Sequence, residues 1–468
     1  MCERRRWLPA LFLFLCNASA AEAQDARLLA RVDSVFAQFD HTRSPGCALG
    51  VIHDGEFVVK RGYGMANLEH GIALSPTSVF RIGSVSKQFT AAAMVLLQQE
   101  GKLSLDDDVR KYVPELPEYE RTITIRHLLN HTSGMRDYLT LMALAGKRDD
   151  DWYSDNDVVR MLAQQGELNF LPGDEFLYSN SGYFLLSQIV KRATGQSLRE
   201  YAAAMIFAPL GMTHTHFHDD HREVVPNRAS GYAPEDSGFR VSMTTLDMVG
   251  DGGVFTTVED LALWDRNFYE PSVGGAEFWG EMLTQGILSN GDTLRYALGL
   301  RQGEYRRLPT VSHSGGFVGF RAQVLRFPSE RFTVICLCNV SVANPTLLAR
   351  SVADVVLEDR LGPREEAASG GGQEREALPP RYMLSADERA EYVGEYYSDE
   401  LDVAYRIRIV NDTLRLGVGA TGERDLSATE RDVLRAGFLT LGITRAGDVV
   451  SGFLVDAGRV KNLVFTKR

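Results

Sequence analysis

Cysteine is scarce in this chain, five among 468 residues. Cys2 and Cys16 fall in the N-terminal segment, which leaves Cys47, Cys336 and Cys338, an odd number that excludes a fold resting on a disulfide framework. A bridge from Cys47 to either of the other two stays open. Cys336 and Cys338 share one face of a strand predicted over 332–339, where filling of an apolar core explains them better than a metal clip. Positive charge is also short: 50 Lys and Arg against 62 Asp and Glu give a net charge of −12 and exclude an electrostatic attraction to nucleic acid. There is no His-Glu-x-x-His, no Walker loop and no Gly-x-Gly-x-x-Gly opening a helix, so no cofactor is expected.

Long apolar runs are confined to the N-terminus. There Arg4, Arg5 and Arg6 precede the stretch from Trp7 to Cys16, and Ala18-Ser19-Ala20 and Ala21-Glu22-Ala23 offer cleavage sites. The stretch is too short to span a bilayer, and it predicts a signal peptide over 1–20, with cleavage as late as 23. The bulky Leu15 before Cys16 is unlike a lipobox. The expected product is soluble, periplasmic or secreted, without stable membrane insertion, and its removal of Glu3 and three arginines takes the charge to −14.

The remaining length predicts two domains. The joint lies over 362–384, where Gly362-Pro363, Gly370-Gly371-Gly372 and Pro379-Pro380 punctuate a run of charges. Before it, over 27–360, strands at Cys47–His53 and Glu56–Arg61 form a hairpin across Asp54-Gly55. Helices fill the middle, strands return at Val318–Arg326 and Phe332–Leu337, and a helix follows from Pro345 to Arg360. This order predicts an α+β domain, an antiparallel sheet flanked by helices with a helical subdomain. After the joint, Ser385-Ala386-Asp387-Glu388 is a capping box. Period-two segments follow, with Tyr405, Ile407 and Ile409 on one face, Leu414 and Leu416 after an Asn411-Asp412 turn, then Phe453 with Val455 and Leu463 with Phe465. They predict a small antiparallel β-barrel over 385–468.

Three short motifs carry the chemistry. Ser84-Val85-Ser86-Lys87 follows Gly83 and opens a helix predicted over 85–99, so Ser84 and Lys87, three apart, project from one face of the first turn. Ser84 is the expected nucleophile and Lys87 the group that takes its proton, a task that needs burial or a neighbouring cation to favour the neutral amine. Tyr178-Ser179-Asn180 and His313-Ser314-Gly315 follow in order. Alone each motif is weak, since Ser-x-x-Lys recurs by chance at solvated helix starts. Together, with Gly62-Tyr63-Gly64, Leu128-Leu129-Asn130-His131-Thr132-Ser133-Gly134, Pro209-Leu210-Gly211-Met212 and Gly252-Gly253-Val254-Phe255-Thr256-Thr257, they resemble the serine β-lactamase and penicillin-binding protein superfamily. Class C β-lactamases, DD-peptidases, D-aminopeptidases and family VIII esterases belong to it.

The resemblance covers about residues 27–360 and implies an acyl-enzyme serine hydrolase acting on a small-molecule or peptide substrate. It implies that Tyr178 works with Lys87 as general acid and base, that Asn180, His313 and Gly315 bind substrate, and that the amides of Ser84 and Gly316 form the oxyanion hole. His313 stands where β-lactamases carry lysine, which shifts the expectation from β-lactam hydrolysis toward peptide or ester cleavage, with a class C-like β-lactamase as the alternative and His313 as a second aid to deacylation; Arg321 on the following strand is expected to be a plain surface arginine, a substitute charge being the alternative. A sensor that acylates without turnover is the reading from another class. Tyr392-Val393-Gly394-Glu395-Tyr396 resembles the start of a lipocalin-like C-terminal domain; the resemblance implies that such a domain borders the active-site cleft or mediates assembly, while its Tyr and Arg side chains, which show no catalytic pattern, are expected to serve packing. His214, His216, His218 and His221, beside Asp219 and Asp220, are the candidate metal cluster, with a partly exposed polar strand as the expected account. Loops at 143–153 and 217–232 are the expected walls of the pocket.

Overall fold

The computed structural model describes residues 26–148, 151–364, 382–418 and 422–468. The expected leader and most of the expected linker lie outside the described residues. Strands β1 (Cys47–His53) and β2 (Glu56–Tyr63) make a hairpin at Asp54-Gly55, whose φ angles of 51° and 84° suit the left-handed turn that short connections favour. β3 (Arg301–Tyr305), β4 (Leu308–Phe317), β5 (Phe320–Phe327) and β6 (Phe332–Cys338) complete an antiparallel sheet in the order β3-β4-β5-β6-β1-β2. Strands β3 and β4 were not legible in the sequence, because Gln302, Gly303, Glu304 and then Ser312 to Gly316 interrupt any apolar alternation.

The inner strands are buried on both faces. Cys47, Leu49 and Val51 of β1 and Phe332, Val334 and Cys336 of β6 pack with Val32, Phe36 and helix α5 (Pro345–Val356). Ala48, Ile52, Ile335 and Leu337 point the other way, toward α4 (Val258–Tyr269), which comes so close that a Cβ at Gly50 would strike the Val258 side chain. The register places Cys47 opposite Cys338 and Leu49 opposite Cys336, so the disulfide joins Cys47 to Cys338 and leaves Cys336 a buried thiol.

Beyond α4 the helical layer is built on α1 (Lys87–Gln99) and α3 (Asn180–Thr194), each apolar or buried through most of its length, and α2 (Tyr138–Leu144) packs on α3. A single turn of 3-10 helix at Gly83–Ser86 precedes α1, so the expected helix over 85–99 divides at Lys87.

The C-terminal unit is a closed barrel of eight antiparallel strands paired in chain order, β7 (Gly394–Ser398) through β14 (Leu463–Lys467). The capping box forms as expected: Ser385 Oγ accepts from Glu388 N at 3.1 Å while a Glu388 oxygen accepts from Ser385 N at 2.8 Å. Tyr396, Tyr405, Phe453 and Phe465 stack inside with ring centroids 4.3–5.0 Å apart for the closest pairs, so side chains fill the barrel axis. Ile409 leaves the expected inward face and is exposed, because its strand runs past the end of the barrel into the Asn411-Asp412 turn.

The barrel is fastened to the helical layer through buried polar groups. Arg136, fully buried, donates to Glu400 at 2.9 Å and to the carbonyls of Lys461 and Asn462 at 3.2 and 3.1 Å. Asn169 donates to the Arg459 carbonyl at 3.0 Å and accepts from Lys461 N at 2.7 Å, and Tyr405 donates to the Leu144 carbonyl at 2.6 Å.

Candidate active site

Glycine at 83, with φ +51°, lets the chain turn into the 3-10 segment that presents Ser84. Strand β4 passes directly behind this turn. A Cβ at Gly315 would collide with the Ile82 carbonyl and lie 3.1 Å from Ser84 N, so glycine there is a condition for bringing the backbones of Ser84 and Gly316 together. The two amides implied as oxyanion donors thus sit on adjoining segments.

One turn later Lys87 is fully buried. Its ammonium donates to Asn180 Oδ1 at 2.8 Å, to the Asp251 carbonyl at 2.6 Å and to Ser84 Oγ at 3.4 Å. It also lies over the rings of Tyr178 and Tyr183, 4.8 and 5.3 Å from their centroids. Side chains of the same helical start pin the 250–254 loop: Thr90 donates to the Gly250 carbonyl at 2.7 Å, and Ser86 Oγ accepts from Val254 N at 3.0 Å. This is the local use of the Gly252-Gly253 motif.

The segment Leu128–Met135 holds the second motif. His131, at φ +59°, accepts from Ser179 N through Nδ1 at 3.2 Å, and its carbonyl accepts from Leu177 N at 3.0 Å. Burial and the nearby Lys87 keep this imidazole neutral, with its pKa well below the ordinary value. Asp137 caps α2 and accepts from Asn180 N at 2.7 Å, which orients Asn180 toward Lys87. The Tyr178 hydroxyl is buried and has no hydrogen-bond partner among the described residues, while its ring lies 4.1 Å from that of His131.

His313 stands beside this group with both ring nitrogens occupied. Nδ1 lies 2.6 Å from the Ser314 carbonyl, which requires the proton there, and Nε2 then accepts from Tyr296 at 3.0 Å. Burial first, then Lys87, lowers its pKa to about 3. Arg321 spends its guanidinium on the carbonyls of Val318 and Phe320, at 3.0 and 2.7 Å, and stands outside the cavity lining, so the alternative of a substitute charge finds no support in its position.

The cavity at Ser84 measures about 170 Å³. Asn180, Gly316, Leu139, Leu246 and Met248 contribute to its walls, and the loops at 143–153 and 217–232 do not. Those loops instead contribute Trp152, Tyr153 and Asp219 to a neighbouring cleft of about 330 Å³. Three charged lining residues escaped the sequence reading. Asp251, preceding Gly252-Gly253, accepts from the Tyr138 hydroxyl at 3.2 Å, and burial raises its pKa to about 6 against the opposing pull of Lys87. Arg81 immediately precedes Ile82-Gly83. Arg459 comes from the barrel and lies over the Tyr178 ring at 4.8 Å, a correction to the expectation that barrel arginines serve packing alone. Proximity to the motifs was the available signal for Asp251 and Arg81; nothing local marks Arg459.

The histidine cluster divides. His216 and His218 approach to 3.2 Å, but both oxygens of the neighbouring Glu223 are held by Arg199 at 2.7 and 2.8 Å, and His221 pairs separately with Asp247 at 2.9 Å.

The Beta-lactamase family model matches residues 32–357. A D-aminopeptidase of Gluconobacter oxydans is 29% identical over 361 residues, which is 76% of this chain and 67% of that protein. Penicillin-binding protein 4* of Bacillus subtilis is 28% identical over 438 residues, covering 88% of this chain and 93% of its own. Among solved structures, an octameric penicillin-binding protein homologue from Pyrococcus abyssi shares the fold at a TM-score of 0.62 and 23% identity, over 95% of this chain and 99% of that one. The chain therefore belongs to the Beta-lactamase family, as one of its serine hydrolases.

Proposed function

We propose that the protein is an exported peptidase or amidase that cleaves bonds next to D-amino acid residues through an acyl-enzyme on Ser84. The observation that carries this reading is the contact of Lys87 Nζ with Ser84 Oγ at 3.4 Å, beneath a tyrosine whose buried hydroxyl has no partner among the described residues. In acylation Ser84 Oγ attacks the substrate carbonyl carbon while its proton passes to the Lys87–Tyr178 pair. The oxyanion that develops faces the amides of Ser84 and Gly316. The pair then protonates the leaving amine, and the same route run with water releases the acid and restores Ser84. The name of the Gluconobacter relative supports D-amino acid residues as the substrate class. Export rests on the basic, apolar and small-residue sequence of the first 23 residues.

Intact-mass detection of a fluorophosphonate adduct, alongside turnover of D- and L-alanine p-nitroanilides, tests the reading. Wild type is expected to gain one adduct and to favour the D substrate, and Ser84→Ala to do neither. An adduct that persists in Ser84→Ala refutes the nucleophile, and preference for the L substrate refutes the substrate class.

A further inference from the structure

The positive charge at the mouth of the site comes from arginines outside the three motifs. His313, with both ring nitrogens engaged and neutral, supplies no cation to the site. Two guanidinium groups line the same cavity as Ser84 instead. Arg81 is 5% exposed, packs on the Phe317 ring at 5.0 Å, and makes one long bond to the Leu246 carbonyl at 3.5 Å. Its Nε is buried without a partner among the described residues, an uncommon state for a group that costs free energy when left unpaired. Burial alone lowers its pKa, and Asp251, Tyr138 and Asp247 are the groups that oppose this.

Arg459 approaches from the barrel. It forms a loose ion pair with Asp137 at 3.8 Å, without a hydrogen bond, and that carboxylate is already engaged by Asn180 N and Thr140 N. The Arg459 main chain, in contrast, is fixed by bonds from Asp137 N and Asn169 to its carbonyl at 3.3 and 3.0 Å. The loop is anchored by its backbone, while the half-exposed guanidinium lies over Tyr178 with only the loose pair to Asp137 to hold it among the described residues. The planar fork of a guanidinium matches a carboxylate bidentately.

We infer that Arg81 and Arg459 form a subsite for a free carboxylate on the substrate, so that the enzyme selects anionic substrates and does so with a residue supplied by its barrel. The inference rests on the serine-hydrolase reading of the site and names its substrate class. It adds a specificity determinant and leaves the acyl-transfer step itself unchanged.

Two matched pairs test it on the full-length protein: N-acetyl-D-Ala-D-Ala against its C-terminal amide, and p-nitrophenyl hydrogen succinate against its methyl ester. Wild type is expected to favour the charged member of at least one pair by tenfold or more in kcat/KM. Arg459→Gln is expected to reduce that ratio by about tenfold, mainly through KM and chiefly at the charged substrate, while Arg459→Lys retains part of it. Fluorophosphonate labelling of Ser84 in each variant reports a folded, reactive site independently of substrate charge. Equal use of both members, preference for the neutral ones, turnover of neither pair by a protein that still labels, or a ratio unchanged in Arg459→Gln overturns the subsite. Absence of labelling in wild type overturns the hydrolase reading instead.

Discussion

Asp251 offers the sharpest test of how the site trades stability for chemistry. Its carboxyl is buried, takes one hydrogen bond from Tyr138, and has its pKa raised from 3.8 to about 6, chiefly by desolvation. A folded-state value above the unfolded one means that folding favours the protonated form. The contribution is fully present below the unfolded pKa and is lost as pH rises through about 6. Roughly two pH units at 1.36 kcal/mol each put the cost of holding Asp251 ionised at about 3 kcal/mol above pH 6. Asp251→Asn keeps the shape and an acceptor for Tyr138, and Lys87 bonds the main-chain carbonyl of residue 251, which the substitution leaves in place. The variant is therefore expected to gain about 1 kcal/mol over wild type at pH 4.5, where the unfolded carboxyl is already mostly ionised, and about 3 kcal/mol at pH 7.5. Urea unfolding at a series of pH values between these limits measures the difference. The tryptophan signal isolates the relevant domain, because none of the four tryptophans lies between residues 382 and 468. A stability difference that stays flat across this range, or an Asn variant less stable at pH 7.5, refutes the assignment of the penalty to a buried charge.

Two further outcomes follow from the geometry. With a pKa of about 3, His313 stays neutral from pH 5 to 9, so His313→Gln is expected to keep whatever acid limb kcat/KM shows in wild type; a limb near pH 6.5 that vanishes in the variant would show that the imidazole titrates. Arg136→Met leaves Glu400 with only its bond from Gly166 N among the described residues and strips two backbone carbonyls of their donor, a loss toward the lower end of that measured when one partner of a buried ion pair is removed, about 3 kcal/mol. The barrel is expected to become protease-sensitive while the tryptophan-monitored transition holds its midpoint, and coincident loss of both would show a single cooperative unit.

Much of the fold was legible because its elements obey one period each. The β1–β2 hairpin, β5 and β6 announce themselves as apolar runs bounded by turn residues, α5 by a helical period, and four of the eight barrel strands by alternation. Strands β3 and β4 do not, since β4 gives up side chains at Gly315 and Gly316 to pass behind Ser84. A segment shaped for close approach carries little pattern of its own. The same reasoning separates the site residues. Ser84, Lys87, Tyr178 and Asn180 stand in fixed local spacings and could be read. Arg81 and Asp251 sit one step outside those spacings, and Asp137, which orients Asn180, looks like an ordinary helix cap. Arg459 is 375 residues from Ser84 in the chain, and only the docking of the barrel makes them neighbours.

That docking bears on how the polar interior stays stable. Lys87, Asp137, Asp251, Arg81 and Arg136 are all buried within a small volume, and each unpaired charge there is expensive. Lys87 meets three acceptors, and Asp137 meets amides of α2 and α3. Arg136 depends on the barrel, because Glu400 and the carbonyls of residues 461 and 462 are its partners. A hydrolase domain without the barrel would keep only the Gln165 bond among these contacts and lose the ionic partner of this guanidinium. The two units therefore share one electrostatic balance: the barrel satisfies a cation of the catalytic domain and, through the same loop, sets Arg459 over Tyr178. Changes at that loop should consequently alter stability and substrate choice together, whereas changes on the far side of the barrel should alter neither.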